Sequence, residues 1–256
     1  MKLKAIVFAI MISAGVSGAW AKSDPEESHV QVVLFSGDTI SGYLRSDLKT
    51  GIKNLFSKSG SIRQWINVAD EPEGGESKRY SASHVMEYRF LEPTEGYPDG
   101  AVTVSESINS PLPFKPNKSV RGFAWEMDRR DNGSILQWNV WESTGGRNSV
   151  DRLVPATGVK LKGARAAYAI IVNGHMRASM LMYYLKKHCP ELYAYFNDYY
   201  YKGKDAKAHS KELVDNPSTI LRLYDQFLET HDPILDPEAE VQLTKVSETE
   251  DPEVEE

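Results

Sequence analysis

His29 to Arg45 reads HVQVVLFSGDTISGYLR, and this stretch decides the fold. Val30, Val32 and Leu34 alternate with Gln31, Val33 and Phe35, Ser36-Gly37-Asp38 turns the chain, and Ile40, Gly42 and Leu44 share a face on the return. Successive strand side chains point to opposite faces, and glycine supplies the backbone freedom that a tight turn needs. Period-two patterning on both sides of a Gly-Asp turn therefore predicts a β-hairpin. It is expected to found an antiparallel sheet that the middle of the chain extends.

Downstream, Ile62 to Ala69 places Ile62, Gln64, Ile66 and Val68 on one strand face and Trp65 on the other. Asp70 to Ser77 (DEPEGGES) is a loop, and Ser81 to Ser83 a small turn. After it, His84, Met86, Tyr88 and Phe90 alternate with Val85, Glu87 and Arg89, which predicts a strand with an aromatic inner face. Glu92 to Pro116 is rich in Pro, Gly and Ser and is expected to be irregular apart from a short strand at Ala101 to Val104. Val120 to Met127 and Ile135 to Trp141 flank Asp131-Asn132-Gly133, a hairpin turn. Leu136, Trp138 and Val140 share one face of the second strand, and Gln137, Asn139 and Trp141 the other. Thr144 to Asn148 is another turn, and apolar Tyr168 to Val172 precedes Asn173-Gly174.

From Ser179 the period lengthens from two to that of a helix. Leu181, Tyr184, Leu185 and His188 fall on one face, Cys189-Pro190 breaks and restarts the helix, and Leu192, Tyr195, Phe196 and Tyr199 continue the stripe. Lys202-Gly203-Lys204 stops it. A short helix from Ala206 to Val214 and a last one with Ile220, Leu221, Tyr224, Phe227 and Leu228 on its apolar face complete the expectation. The fold class is α+β: an antiparallel β-rich sheet or half-barrel followed by C-terminal helices packed on it. The expected division is a β-rich domain over 22–177 and a helical segment over 178–235.

The two ends read differently. Lys2 and Lys4 precede an apolar run from Ala5, and Ala19-Trp20-Ala21 fits the small-x-small cleavage rule, so residues 1–21 are expected to be a signal peptide. No later segment is long and apolar enough to predict a membrane span. The formal net charge is −6, and loss of Lys2 and Lys4 leaves −8. Residues 236–256, with nine acids against Lys245, account for that −8, so 22–235 is neutral. A neutral body without a basic stripe argues against nucleic acid, whose recognition needs clustered Lys and Arg. The acidic stretch is too poor in apolar residues to offset its ordering entropy and is expected to be a disordered tail. With export the expected localisation is periplasmic or secreted; the one cysteine, Cys189, leaves no intramolecular disulfide, so the fold must hold by packing, which favours a bacterial envelope protein over a disulfide-rich extracellular module.

Three short elements, Gly37-Asp38-Thr39 with Gly42-Tyr43, Tyr80 with Val85 and Tyr88-Arg89-Phe90, and Cys189-Pro190-Glu191-Leu192 with Ile220 and Tyr224-Asp225, occur in the order seen in a family of uncharacterised secreted proteins of Gram-negative gut bacteria. The chain resembles that family over most of residues 30–230. It departs from it at Gly163 to Tyr168, GARAAY, where relatives carry a Gly-x-x-Ser-Leu-Tyr strand. The resemblance implies envelope export and a β-rich body with a helical end. It implies no activity and no catalytic residue.

The residues themselves offer no catalytic, cofactor or metal motif. There is no Gly-x-Ser-x-Gly elbow, no Gly-rich phosphate loop, no His-Glu-x-x-His and no paired-cysteine zinc spacing. The six histidines are scattered. Cys189 reads as a buried cap residue, and Glu87, Glu126, Asp128 and Glu142 are the carboxylates on expected strands. Aromatics are the enriched feature. Trp65 and Trp141 lie opposite the core faces of their strands, and Tyr193, Tyr200 and Tyr201 lie off the helical stripe. These five are the candidate binding surface. Two uses stay open for such rings: packing at a wet sheet–helix boundary, or contact with a ligand. The expectation is an exported, non-catalytic protein that binds another protein or an envelope component; the alternative is a glycan-binding or glycan-cleaving module using the exposed aromatics.

Overall fold

The computed structural model describes residues 28–45, 62–72, 75–93, 100–109, 119–143, 151–233 and 235, with the side chains of 141–143 and 151–153 excepted. The expected signal peptide, the Ser46–Ser61 loop, the Thr144–Asn148 turn and the acidic tail lie outside the described residues. The strands are β1 His29–Leu34, β2 Thr39–Arg45, β3 Trp65–Ala69, β4 Ser77–Ser81, β5 Val85–Phe90, β6 Val102–Asn109, β7 Ser119–Arg130, β8 Gly133–Ser143, β9 Asp151–Leu161, β10 Tyr168–Val172 and β11 His175–Met176. The helices are α1 Ser179–His188, α2 Pro190–Asn197, α3 Ala206–Asp215 and α4 Thr219–Leu228, with a π-helical turn at Asp198–Lys202 after α2. The strands form an open antiparallel sheet in the order β11-β10-β9-β8-β7-β6-β5-β1-β2-β3-β4, followed by the helices. The expected fold class holds.

The chain separates into two compact units. Among the described residues, the first unit lies within 28–106, 120–126 and 137–156, and the second within 107–119, 127–136 and 157–235. The helices therefore group with β10, β11 and parts of the long strands.

In the first unit the founding hairpin forms as read, with Val30 opposite Gly42 and Val32 opposite Ile40. β1 also pairs with β5, setting Val30 opposite Phe90 and Val32 opposite Tyr88. The inner face carries Val30, Val32, Leu44, Ile66, Val68, Val85, Tyr88, Phe90 and Phe123, all buried in one cluster. The outer face carries His29, Gln31, Tyr43, Asn67 and Arg89. Phe123 N–H donates to the Arg63 carbonyl (2.8 Å), although β7 and β3 stand far apart in the strand order. The strands of this unit thus roll around their core.

Gly122 makes that seam possible. A Cβ there would meet the Ile62 side chain and stand 2.8 Å from the Arg63 carbonyl.

The alternation expected in β5 is corrected by a bulge. Register runs from Val33–Glu87 to Leu34–Val85, so Met86 is an extra residue. Val85 and Tyr88 then share the core, and Met86 is exposed rather than part of the aromatic inner face. Glu87 is buried, with its carboxylate held by Arg89 Nε (3.0 Å).

β6 is longer than expected because Thr103, Ser105 and Asn109 are buried polar residues that hide the strand pattern. β9 was not expected at all: Pro155 lacks the ladder N–H, and yet the strand lies between β8 and β10.

In the second unit Ile135, Val159, Leu161, Tyr168 and Ile170 from strands pack with Leu181, Leu185, Leu192, Phe196, Leu213, Ile220, Leu221, Tyr224 and Phe227 from helices. Burying each such side chain stabilises by roughly 1.5–3 kcal/mol before entropy is counted. The helix faces are those the periodicity predicted except at Tyr200, which is buried, and at Tyr195, which was expected on the apolar stripe and is exposed. Cys189 is buried between α1 and α2 as a free thiol.

Candidate functional site

One rim of the first unit gathers chain ends that are distant in sequence: the end of β1, the start of β3, the turn from β4 into β5, β6, and the first residues of β7. Backbone bonds fix them together. Ala82 N–H donates to Gln64 O (2.8 Å), Phe35 N–H to His84 O (3.0 Å) and His84 N–H to Ser81 O (3.0 Å). The Ser81–His84 turn is tightened by Ser83 N–H on Ser81 Oγ (3.0 Å), and Ser81 and Ser83 share a hydroxyl–hydroxyl bond.

Two aromatic–guanidinium pairs stand on this rim. Trp65, 45 % exposed, has the Arg79 guanidinium over its ring at 4.7 Å from the centre, and Arg63 Nε donates to the Trp65 carbonyl (3.1 Å). Trp65 and Arg79 reach each other because β3 pairs with β4: Trp65 is opposite Ser81 and Asn67 opposite Arg79, so the two side chains are diagonal neighbours on the outer face.

Phe35, 49 % exposed, has the Arg121 guanidinium 4.8 Å from its ring centre. Arg121 Nε–H is shared between the Ala82 carbonyl (3.3 Å) and Ser105 Oγ (3.2 Å), and Ser105 donates its own hydroxyl to the same carbonyl.

The other arginines described with ion pairs hold carboxylates of this chain: Arg89 with Glu87, Arg130 with Asp225 and Asp128, Arg222 with Glu212. Among the described residues no carboxylate stands within ion-pair reach of Arg79 or Arg121. An arginine stacked on an aromatic ring is held in place and only weakly hydrated on that face, which suits it to capture an anion or a carbonyl. No group of three or more metal-ligating side chains occurs among the described residues.

The other expected binding residues fall elsewhere. Trp141 lies in β8, and its side chain is outside the described residues. Tyr193, Tyr200 and Tyr201 belong to the second unit. Tyr193 is half-buried on the helical core with Lys186 Nζ 5.9 Å from its ring centre, and Tyr201 is exposed.

Tyr200 is a correction. It is 3 % exposed and part of the core. The wider spacing of the π-helical turn suits the line Leu192, Phe196, Tyr200, and turns Tyr199 onto His209, where the rings stack at 3.8 Å. Burial drives the Tyr200 pKa well above that of an ordinary phenol, and Thr219 approaches its hydroxyl without completing a hydrogen bond. Tyr199 is raised more modestly, by burial and then by Glu212.

Arg79, Phe35 and Arg121 were not among the expected site residues. Phe35 could have been found, since it is an aromatic on the non-core face of the founding hairpin. Arg79 and Arg121 carry no signal until the strand pairings bring them to the rings.

Comparison of the chain with known protein families, with curated proteins and with solved structures finds no match.

Proposed function

We propose that this chain is an exported, non-catalytic binding protein that recognises another protein or an envelope component through the rim carrying Trp65 and Arg79. The observation that supports this reading is the pair of exposed aromatic–guanidinium stacks, Trp65–Arg79 and Phe35–Arg121, whose cations have no carboxylate partner among the described residues. Aromatic rings and arginine dominate binding energy at protein interfaces because they bury large area and form several directed hydrogen bonds. Export is read from residues 1–21, and membership of the gut-bacterial envelope family is part of the same proposal.

The second reading is a glycan-binding or glycan-cleaving module. The half-exposed Trp65 indole, on a strand whose partner sets Ser81 opposite it, favours it, since sugars stack on such rings.

The test is cross-linking capture from a native envelope extract with the chain over 22–256, beside Trp65→Ala and Arg79→Ala. A reproducible protein partner lost with both variants supports the first reading. A partner retained by both removes the rim from it. Retention on glycans that Trp65→Ala abolishes would replace it with the second.

A further inference from the structure

The Arg121 guanidinium is held on the rim from two sides. Its Nε edge is tied inward to Ala82 O and Ser105 Oγ, and the Phe35 ring fixes its plane. The Ser105 hydroxyl cannot drift, because it is itself bonded to the Ala82 carbonyl. The remaining donors are the terminal amino groups, a planar end-on fork. Among the described residues that fork has no hydrogen-bond partner. A fork whose orientation is already set loses little entropy on taking up a planar oxyanion with two parallel bonds.

The surroundings narrow the oxyanion. Phe35 is followed by the Ser36-Gly37-Asp38 turn, in which Ser36 Oγ donates to the Asp38 carboxylate (2.8 Å). One fixed guanidinium near an acidic turn suits a monoanion; a phosphate dianion calls for several clustered cations. Phe35 is an exposed ring, and Met86, exposed at the β5 bulge, comes two residues after the His84 whose carbonyl accepts the Phe35 N–H. Aromatic, methionine and arginine side chains together make the composition of a polypeptide-binding patch.

We propose that Arg121 receives the carboxylate of an acidic residue in a partner polypeptide, with the apolar neighbours of that residue resting on Phe35 and Met86. This rests on the rim reading above and names the chemistry of its partner.

The test uses the full chain, labelled with 15N, and two matched probes, acetyl-Phe-Glu-Phe-amide and acetyl-Phe-Gln-Phe-amide, with inorganic phosphate as a third. The Glu peptide should shift the Arg121 Nε–H signal saturably, and the Gln peptide should bind at least about tenfold more weakly. Arg121→Lys keeps the charge but not the fork and should weaken the Glu peptide by about tenfold, read at the Phe35 amide. Phe35→Ala, which removes an exposed ring and opens no core void, should weaken both peptides. Equal binding of the two peptides, no shift at Arg121, or phosphate saturating at lower concentration than the Glu peptide would each overturn the proposal. A shift at Trp65 and Arg79 without one at Arg121 overturns it while leaving the rim as a binding surface; loss of the rim reading itself is decided by the capture experiment.

Discussion

The Tyr184 hydroxyl donates to the Leu235 carbonyl at 2.8 Å and accepts from the Arg165 N–H at 3.3 Å. Leu235 is itself buried in the core of the second unit. A side chain on α1 thereby pins the chain just before the acidic stretch and satisfies two backbone groups at once. Tyr184→Phe leaves both groups without that partner and should cost about 1–3 kcal/mol in urea denaturation. A change below about 0.3 kcal/mol would show that solvent replaces the bond without loss.

Tyr200 should behave in the opposite way. Its hydroxyl is buried without a completed hydrogen bond, so the folded state already bears the desolvation cost. Tyr200→Phe keeps the ring that packs edge-on against Phe196 and should be neutral or stabilising by up to about 1 kcal/mol in the same measurement. A loss comparable to that of Tyr184→Phe would mean that the hydroxyl is bonded in solution.

The seam between β7 and the segment entering β3 gives a third expectation. A methyl group at Gly122 would collide with Ile62 and press on the Arg63 carbonyl, which accepts from Phe123 N–H. Gly122→Ala should destabilise by about 1–3 kcal/mol and speed hydrogen exchange at Phe123. Slow exchange at that amide in the variant would contradict the rolled geometry.

Alkaline pH should unfold the protein through its buried phenols. Tyr224 is pushed up from 10.0 to about 12, first by burial and then by Cys189, Tyr184, Asp225 and Asp232. The unfolded chain loses this proton near pH 10, whereas the folded chain keeps it. The stabilisation linked to Tyr224 is therefore complete below pH 10 and disappears between 10 and about 12, for a change on the order of 3 kcal/mol. Thermal melts across that interval, followed by phenolate absorbance, test this. Tyr224→Phe should flatten the decline.

On the rim, Trp65→Ala and Arg79→Ala should each change stability by less than about 1 kcal/mol, since an exposed stacked pair contributes little to folding. Ligand capture should nonetheless fall. A large drop in melting temperature for either variant would mark the pair as structural.

The founding hairpin, the Asp131-Asn132-Gly133 turn and the apolar stripe of α4 were legible in the sequence because local pattern and tertiary burial agree there. β9 was hidden by Pro155, and β6 by Thr103, Ser105 and Asn109, which put polar groups into buried positions. In β5 a one-residue bulge shifted the phase, and no period-two reading can anticipate Met86 turning outward. For the site, Trp65 was readable as an off-core ring. Its partner Arg79, and the meeting of Arg121 with Phe35, depend on pairings between distant segments. Tyr200 was misplaced because the turn that aims it inward is wider than an α-helical one.

The position of β1 between β2 and β5 has a kinetic consequence. The hairpin with β2 closes over a few residues and can form within microseconds, but Val85 follows Leu34 by about fifty residues. Until β5 arrives, β1 keeps an open hydrogen-bonding flank lined with valines. The meander β1-β2-β3-β4 can assemble first, and docking of β5 onto β1 is the step with the large loop-closure cost. Substitutions at the Val32–Tyr88 contact should therefore slow folding more than they speed unfolding.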